Sequence, residues 1–404
     1  MNVRGLDLLL SPDGRRFLDS LPPYEEQQAL ALGSALRKQG MDADLVAAAL
    51  TQSRLRAKAG GPGGKFGEFA ANMLFTVDGL EQATRLEVAA LHARRYAQAG
   101  ARHVADLGCG IGGDSLAFAA LGLAVLAAEQ DELTAKIAEE NLRPFPEAQV
   151  RGGDAMSIDL TASGVDAVFM DPARRTRRGT RVFDPAAYSP NLDDVLALRH
   201  RFPLGVKVGP GIPYTALPSE AHAQWVSVDG AVVEAGLWFG PLSPGAGRSA
   251  LLLGRDEEGR RTTHRLEWTG DADAPAPAAP SGPLSAYLYE PEAAVIRAGL
   301  VAQVARDLDG RLVDDGIAYF TSDTATDSPF VTGYRVLDAF DFGVKRLRAY
   351  LRGRKVGRVT IKKRGTAVTP EQLRPQLNLA GEEEATIILT RVGGRQQVIV
   401  VDPL

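Results

Sequence analysis

Four acidic residues in the first half of the chain stand within or just beyond short apolar runs: Asp106, Glu129, Asp154 and Asp171. A carboxylate accepts hydrogen bonds from the two hydroxyl groups of a ribose and from the amino group of a base. If the runs are neighbouring parallel strands, their carboxyl ends meet at one edge of the sheet, where ligands bind in such folds. We therefore predict that these acids belong to a ligand-binding site at that edge.

A glycine-rich turn follows the first acid. Gly108, Gly110 and Gly112 come after Asp106 at alternate positions, and a helical pattern from Ser115 to Leu121 follows. Strand, glycine turn and helix in this order let the backbone approach a ligand, with the N–H groups of the helix start directed at it. Glycine turns occur in several nucleotide-binding folds, but this spacing differs from the Gly-x-Gly-x-x-Gly of dinucleotide sites.

Strand-like and helical runs alternate from residue 101 to 255, which predicts an α/β fold with a parallel sheet between helices. The alternating strand-like runs are His103–Leu107, Leu123–Ala128, Ala148–Gly152, Ala167–Asp171 and Gly205–Val208. Three more runs, without helices between them, predict an antiparallel end to the sheet: Gln224–Val228, Val232–Leu237 and Ser249–Leu253.

Three further segments complete the predicted organisation. Residues 1–98 are predicted to be a helical cap, with one helix from Leu45 through Leu55 capped by Asp42 or Asp44 and another near 84–97. Residues 269–283 are rich in Pro and Ala and predict a linker between a domain at 99–268 and one at 284–404. The last segment is predicted to be α/β, with helices at 292–308 and 369–377 and strands at 335–339, 358–361, 385–389 and 397–401.

The glycine turn resembles motif I of class I S-adenosylmethionine (SAM) methyltransferases. The resemblance implies a Rossmann-like, seven-stranded catalytic domain with SAM as cofactor. Glu129, which lies 21 residues beyond Gly108, is expected to bind the ribose, and Asp154 the adenine amino group. The residues expected to bind SAM are Asp106, Gly108, Gly110, Gly112, Glu129, Asp154 and Thr84.

Asp171-Pro172 resembles the Asp/Asn-Pro-Pro-aromatic motif of amino-group methyltransferases, which implies that these two residues are catalytic. In that motif the side chain orients an exocyclic NH2, so that much of the catalysis is positioning. Ala173 and Arg174 stand where the family has the second proline and the aromatic residue, which leaves the identity of the base open. Asp171-Pro172-Ala173-Arg174 also resembles the Asp-Pro-x-Arg motif of uracil C5-methyltransferases. Those enzymes need a cysteine downstream of the motif to attack the ring. The one cysteine here, Cys109, precedes the motif, so this alternative is excluded.

A longer resemblance covers roughly residues 75 to 404. The glycine turn and the preceding Leu80–Thr84 resemble the cap-type guanine-N2 (trimethylguanosine synthase) methyltransferases, in which the second segment lies over SAM. The whole chain is similar to bacterial relatives with a C-terminal THUMP-like domain, marked here by Tyr289–Gly299 and Ile361–Gly365. This resemblance implies a methyltransferase that acts on nucleic acid, with RNA as the expected partner.

Two basic segments are candidates for substrate binding. Five arginines lie between Arg174 and Arg181, beside the expected reaction centre, and ten basic residues lie between Phe340 and Gly365. Such density suits phosphate binding, although a solvated helix and a charged edge strand would have the same composition. The candidate substrate-binding residues are Arg174, Arg175, Lys345, Arg346, Lys362, Lys363 and Arg364.

The bulk composition is that of a globular protein: 45% of the residues are hydrophobic, 24% are charged and the net charge is −4. No apolar run reaches the length of about 18 residues that crosses a bilayer, and no signal peptide is recognisable, so we expect a cytoplasmic protein. No metal site is predicted. The sequence predicts an enzyme, a SAM-dependent N-methyltransferase for an exocyclic amine in RNA. Methylation of DNA or protein, or RNA binding without catalysis, are the alternatives.

Overall fold

The computed structural model describes residues 2–172 and 188–404. The helices are α1 (Val3–Leu10), α2 (Pro12–Ser20), α3 (Glu26–Lys38), α4 (Ala43–Gly60), α5 (Val77–Gln82), α6 (Leu86–Gln98), α7 (Gly113–Ala120), α8 (Glu132–Leu142), α9 (Leu192–Ala197), α10 (Ala293–Arg297), α11 (Val301–Asp307), α12 (Val344–Gly353) and α13 (Pro370–Leu377). Short 3-10 helices lie between some of them, one of them at Ala155–Ser157.

The strands alternate with these helices in the first half of the chain and dominate the second. They are β1 (His103–Leu107), β2 (Ala124–Glu129), β3 (Ala148–Gly152), β4 (Ala167–Met170), β5 (Leu204–Val208), β6 (His222–Val228), β7 (Ala231–Phe239), β8 (Gly247–Arg255), β9 (Arg261–Thr269), β10 (Tyr287–Pro291), β11 (Arg311–Leu312), β12 (Phe320–Ser322), β13 (Val331–Asp341), β14 (Val356–Lys363), β15 (Glu383–Val392) and β16 (Arg395–Pro403).

The chain divides into two compact units. The first comprises Met1–Val208 and Leu237–Pro244, and the second comprises Gly209–Gly236 and Gly245–Leu404. The boundaries predicted from composition, at 98/99, 268/269 and 283/284, stay predictions. Within the described residues, every helix falls short of the length or the apolar character that a membrane-spanning helix needs.

The first unit begins with helices that pack on one another, as the sequence predicts. Asp42 caps α4, because its side chain accepts hydrogen bonds from the backbone N–H groups of Asp44 and Leu45. Gln52 on the same helix is buried and exchanges hydrogen bonds with the backbone N–H and carbonyl of Phe75. The helix predicted near 84–97 is α6, which buries Val88, Ala89, His92, Ala93 and Tyr96.

The five strands predicted to alternate with helices form a parallel sheet in the order β3-β2-β1-β4-β5. β1, β4 and β5 are almost wholly buried, which explains why they read as continuous apolar runs instead of alternating ones. Their carboxyl ends lie at one edge, as parallel pairing requires. The predicted α/β class and the order of these elements are therefore confirmed.

The first sheet has nine strands, not seven, in the order β3-β2-β1-β4-β5-β7-β6-β8-β9. β8 runs parallel to β6, so the predicted antiparallel ending is wrong for this pair, whereas β9 pairs antiparallel with β8. Asp229 and Gly230, with φ of 48° and 80°, form the two-residue turn after β6. A second reversal between β7 and β8 restores the original strand direction.

The second sheet has the order β11-β12-β10-β13-β16-β15-β14, with β14 at its edge and parallel to β15. α12 and α13 cover one face through Leu347, Leu351, Leu373 and Leu377. The single helix predicted at 292–308 is two helices, α10 and α11. The chain breaks between them because Gly299 takes a φ of 70°.

Residues of the predicted linker are partly anchored within the second unit. The backbone N–H of Ala272 donates to the carbonyl of Ser219, and that of Gly282 donates to the carbonyl of Leu312. Composition alone did not indicate these anchors, because Pro- and Ala-rich segments have few side chains that bury surface.

Candidate active site

The glycine turn after β1 has a backbone that side chains would strain. Gly108, Gly110 and Gly112 have φ of 83°, 57° and 83°, in the left-handed region. The N–H groups of Gly108 and Cys109 both donate to the carbonyl of Ala128 at 2.9 Å, which fastens the turn to β2. A Cβ at Gly110 would meet no atom of the described protein within 4 Å. The bonds to Ala128 therefore fix the turn, and no described residue fills the space at Gly110.

Glu129, at the end of β2, is held against this turn. Its Oε2 accepts a hydrogen bond from the N–H of Gly110 at 3.0 Å, and its Oε1 accepts one from Asp131 at 2.8 Å. Each carboxylate oxygen has a second lone pair, so the group can also accept from a ribose diol. Glu129 is thus fixed beside the open space, as a ribose-binding residue requires.

Asp106 points into the protein. It is 1% exposed, and the hydroxyl of Ser115 on α7 donates to its Oδ2. Burial, with the negative charge of nearby Asp114, raises the pKa of Asp106 above its ordinary value, although the bond from Ser115 opposes the rise. The side chain joins β1 to α7, so a direct contact with SAM stays a prediction.

Asp154 lies in the loop after β3, close to the end of β2. The N–H of Gly153 donates to the carbonyl of Glu129 at 2.9 Å, which ties the two strand ends together. Asp154 itself is exposed and accepts from the N–H of Met156 at 2.9 Å, so it caps the short helix that follows. The predicted hydrogen bond from the adenine amino group would be accepted by the Asp154 carboxylate in addition to the bond from Met156.

Asp171 follows β4 and lies against the glycine turn. A Cβ at Gly108 would come within 3.0 Å of the carbonyl oxygen of Asp171, so only glycine permits this approach. The Asp171 side chain is 26% exposed and forms an ion pair with Nζ of Lys207. Pro172 is buried beside it. The candidate reaction centre and the candidate cofactor turn are therefore in contact.

Lys207 is the site residue that sequence reasoning missed. It lies on β5, where Met170 of β4 pairs with Val206, so the next position on each strand brings Asp171 beside Lys207. Its side chain is 4% exposed, and its Nζ also donates to Oγ1 of Thr84 at 2.9 Å. A lone lysine within an apolar strand is the signal that could have identified it, because buried lysines are rarely unpaired.

A buried polar network continues from Lys207. Thr84 donates from Oγ1 to Oδ2 of Asp114 at 2.6 Å, and Nδ1 of His92 lies 2.8 Å from Oδ1 of the same carboxylate. Burial acts to raise the pKa of Asp114, but His92, Lys207 and the bond from Thr84 outweigh it and hold that pKa below its ordinary value. The Thr84 hydroxyl therefore serves this network, and the contact with SAM predicted for Thr84 stays a prediction.

The basic residues predicted to bind substrate are only partly described. Ala173, Arg174, Arg175 and the arginines up to Arg181 lie outside the described residues. In the second unit, Lys345 and Arg346 are exposed on α12, and Lys363 is exposed at the end of β14. Lys362 donates to Glu290 at 2.7 Å, and Arg364 lies 3.5 Å from the same carboxylate. One acid therefore offsets part of the charge of this pair.

The donor set of the first unit fits SAM. Among residues 2–172 and 188–404, none fills the space at Gly110 in the left-handed glycine turn, and the Glu129 carboxylate is fixed beside that space. Across residues 2–172 and 188–404, no group of three or more His, Cys, Asp or Glu side chains is placed to hold a metal ion.

Comparison with known proteins agrees with this geometry. Residues 331–403 match the THUMP domain-like family, and residues 2–59 match a domain of unknown function. A crystal structure of a proposed methyltransferase from Porphyromonas gingivalis W83 is similar in fold, with a TM-score of 0.71, 20% sequence identity, and coverage of 94% of this chain and 99% of that chain.

Two Mycobacterium tuberculosis proteins, each called an uncharacterized S-adenosylmethionine-dependent methyltransferase, are 32% identical over 340 residues. The match covers 82% of this chain and 89% of each relative. The expected fold, cofactor and THUMP-like segment are thereby confirmed. The chain belongs to the S-adenosylmethionine-dependent methyltransferases.

Proposed function

We propose that the enzyme transfers the methyl group of SAM to an exocyclic amino group of a base in RNA. The observation that carries this proposal is the position of Asp171, an acid followed by proline at the end of β4, in contact with the glycine turn. A carboxylate there can accept a hydrogen bond from an amino group while the methyl donor lies along the turn. This is the arrangement that amino-group methylation needs.

SAM supplies an electrophilic methyl sulfonium, and the protein positions the amine. Asp171 accepts a hydrogen bond from the NH2 group and directs the nitrogen lone pair at the methyl carbon. As the nitrogen–carbon bond forms and the carbon–sulfur bond breaks, the nitrogen becomes positive and its bond to Asp171 strengthens. An interaction that strengthens in the transition state lowers the barrier. The sulfur leaves as a neutral thioether, and the extra proton passes from the nitrogen to solvent water after the transfer.

Lys207 is the proposed positioning residue for Asp171. Its ammonium group is buried, pairs with the carboxylate and is itself held by Thr84 at 2.9 Å. The chain of contacts from Lys207 through Thr84 to Asp114 and His92 limits the orientations that Asp171 can take. Such preorganisation reduces the reorganisation needed when charge develops on the amine.

Two features support RNA as the acceptor. The THUMP domain-like match at 331–403 includes β14 and α12, which carry most of the second basic segment. Lys345, Arg346 and Lys363 are exposed there, as phosphate contacts require. We also propose that the chain is related to the cap-type guanine-N2 methyltransferases. Because Arg174 replaces the stacking aromatic residue, we leave the base unassigned. The expected cytoplasmic location stays a prediction.

Mass spectrometry of nucleosides tests the proposed reaction. RNA, DNA and protein hydrolysates are compared among the parent strain, a strain lacking the gene, and that strain complemented with wild type or with Asp171→Ala. We expect one N-methylated ribonucleoside to disappear in the deletion strain and to return only with the wild-type gene. If the RNA were unchanged and a methyl mark were lost from DNA or protein instead, RNA would be wrong as the acceptor. No change in any fraction would contradict the proposal.

A further inference from the structure

The second unit contains a cleft of about 540 Å³ whose lining residues all belong to that unit. Three segments line it. They are the loop at 210–214 after β5, helix α10, and Arg364 directly after β14. The lining residues with side chains that could recognise a ligand are Ile212, Tyr214, Ile296, Arg297 and Arg364. A cleft of this size holds a small organic molecule, and a phosphate alone would leave most of it empty.

Tyr214 is held in place at the wall of this cleft. Its hydroxyl donates to the carbonyl of Arg297 at 2.8 Å. The guanidinium of buried Arg248 lies 4.4 Å from the centre of its ring, and Trp225 packs edge-on at 5.9 Å. Gly299 permits the approach, since a Cβ there would lie 2.6 Å from the Tyr214 hydroxyl. The wall is therefore preorganised.

Two arginines, Arg297 and Arg364, line the cleft. Arg297 is exposed, and the Glu290 carboxylate near Arg364 is shared with Lys362. Lys362 and Arg364 thus share a single acid. Nε of Arg364 is buried and has no hydrogen-bond partner among the described residues, so the protein does not fully satisfy this guanidinium. The planar guanidinium group of arginine forms bidentate hydrogen bonds with carboxylate and phosphate groups.

We propose that this cleft binds one nucleotide of the RNA acceptor. The phosphate lies against Arg297 and Arg364, and the base or ribose lies on the wall formed by Ile212, Tyr214 and Ile296. Aromatic side chains within a positively charged groove are the usual combination for binding single-stranded nucleic acid. This assignment rests on the proposed function for the choice of RNA, and it extends that function by assigning an RNA contact to residues of the second unit.

Fluorescence anisotropy with a labelled single-stranded RNA of ten nucleotides and mixed sequence tests the cleft. Arg297→Ala should weaken binding about tenfold, as loss of one charge-assisted contact does. It should also reduce the slope of log affinity against log salt by about 0.7, the value for one phosphate of a single strand. Arg364→Lys keeps the charge but loses the fork, and should weaken binding less than Arg364→Ala. SAM affinity should not change.

Arg395→Ala is the matched control, because Arg395 is an exposed arginine of the same unit that does not line the cleft. An equal effect of Arg297→Ala and Arg395→Ala would overturn the assignment, as would failure of the wild type to bind the RNA. Competition by inorganic phosphate or by a glutamate decapeptide as effective as that by unlabelled RNA would also overturn it. Methylation of RNA by the same variants is measured separately, so that the cleft and the proposed reaction can fail independently.

Discussion

Removing the amine of Lys207 should destabilise the protein, because the buried ion pair between Lys207 and Asp171 is lost. In Lys207→Met the side chain keeps its length and apolar stem but loses the ammonium group. Asp171 then loses its ion pair with Nζ, and Oγ1 of Thr84 loses the bond that it accepts at 2.9 Å. The substitution therefore leaves a partly buried carboxylate with less compensation than in the wild type.

The magnitude follows from the burial of the two partners. Breaking a buried ion pair by removing one partner costs about 3–5 kcal/mol. Lys207 is buried, but Asp171 is 26% exposed and water can solvate it in part. We therefore expect a loss of about 2–3 kcal/mol in the free energy of unfolding, below most of this range because of the partial solvation of Asp171. Proteins of ordinary stability, about 5–15 kcal/mol, survive such a loss.

Urea unfolding followed by tryptophan fluorescence measures the effect, and a double-mutant cycle with Asp171→Asn isolates the pair. The coupling between the two substitutions should be about 1 kcal/mol or more, since contacting residues do not add independently. Lys136→Met is the control, because Lys136 pairs with Asp7 on the surface and such pairs contribute little. Coupling below about 0.3 kcal/mol would refute the proposed pair.

Three further results are expected. Glu129→Ala should weaken SAM binding by about 1–3 kcal/mol in calorimetry, because charge-assisted hydrogen bonds to the ribose are lost; unchanged affinity would remove Glu129 from the site. Gly108→Ala should lower the midpoint of thermal unfolding more than Gly122→Ala does, because both have φ near 80° but only the Cβ at 108 meets another backbone atom; equal shifts would contradict the close approach of Asp171. Hydrogen bonding from Arg391 lowers the pKa of Asp314 to about 2, below its unfolded value, so its stabilisation is present above about pH 4 and is lost as the pH falls towards 2. The difference in unfolding free energy between wild type and Asp314→Asn should shrink over that range, and a constant difference would contradict the low pKa.

The sequence was sufficient to predict β1 and α7, the two elements on either side of the glycine turn. The run from His103 to Leu107, the alternate glycines and the helix after them are local patterns, and the structure places them as expected. Glu129 was found by its offset from Gly108, because the length of one helix and one strand fixes that distance along the chain. Local propensity and periodicity decide such features, so they can be read from a single sequence.

Features that depend on contacts between distant residues were not predictable. Lys207 meets Asp171 because of the pairing register of β4 and β5, which no local pattern encodes. Asp106 faces Ser115, and the hydroxyl of Thr84 faces Asp114, although the sequence suggested a ligand for both. β9 was missed because alternating polar residues in an edge strand resemble a loop in composition.

The most direct test of amino-group methylation is single-turnover transfer of labelled methyl from SAM to RNA of the deletion strain, with enzyme in excess. Asp171→Ala should bind SAM with nearly wild-type affinity and transfer methyl about 10²-fold more slowly, the cost of losing one oriented electrostatic partner. Asp171→Asn should lose less, because its amide oxygen still accepts a hydrogen bond from the amine. Transfer at the wild-type rate by folded, SAM-bound Asp171→Ala would contradict the assignment of Asp171 and, with it, the proposed reaction.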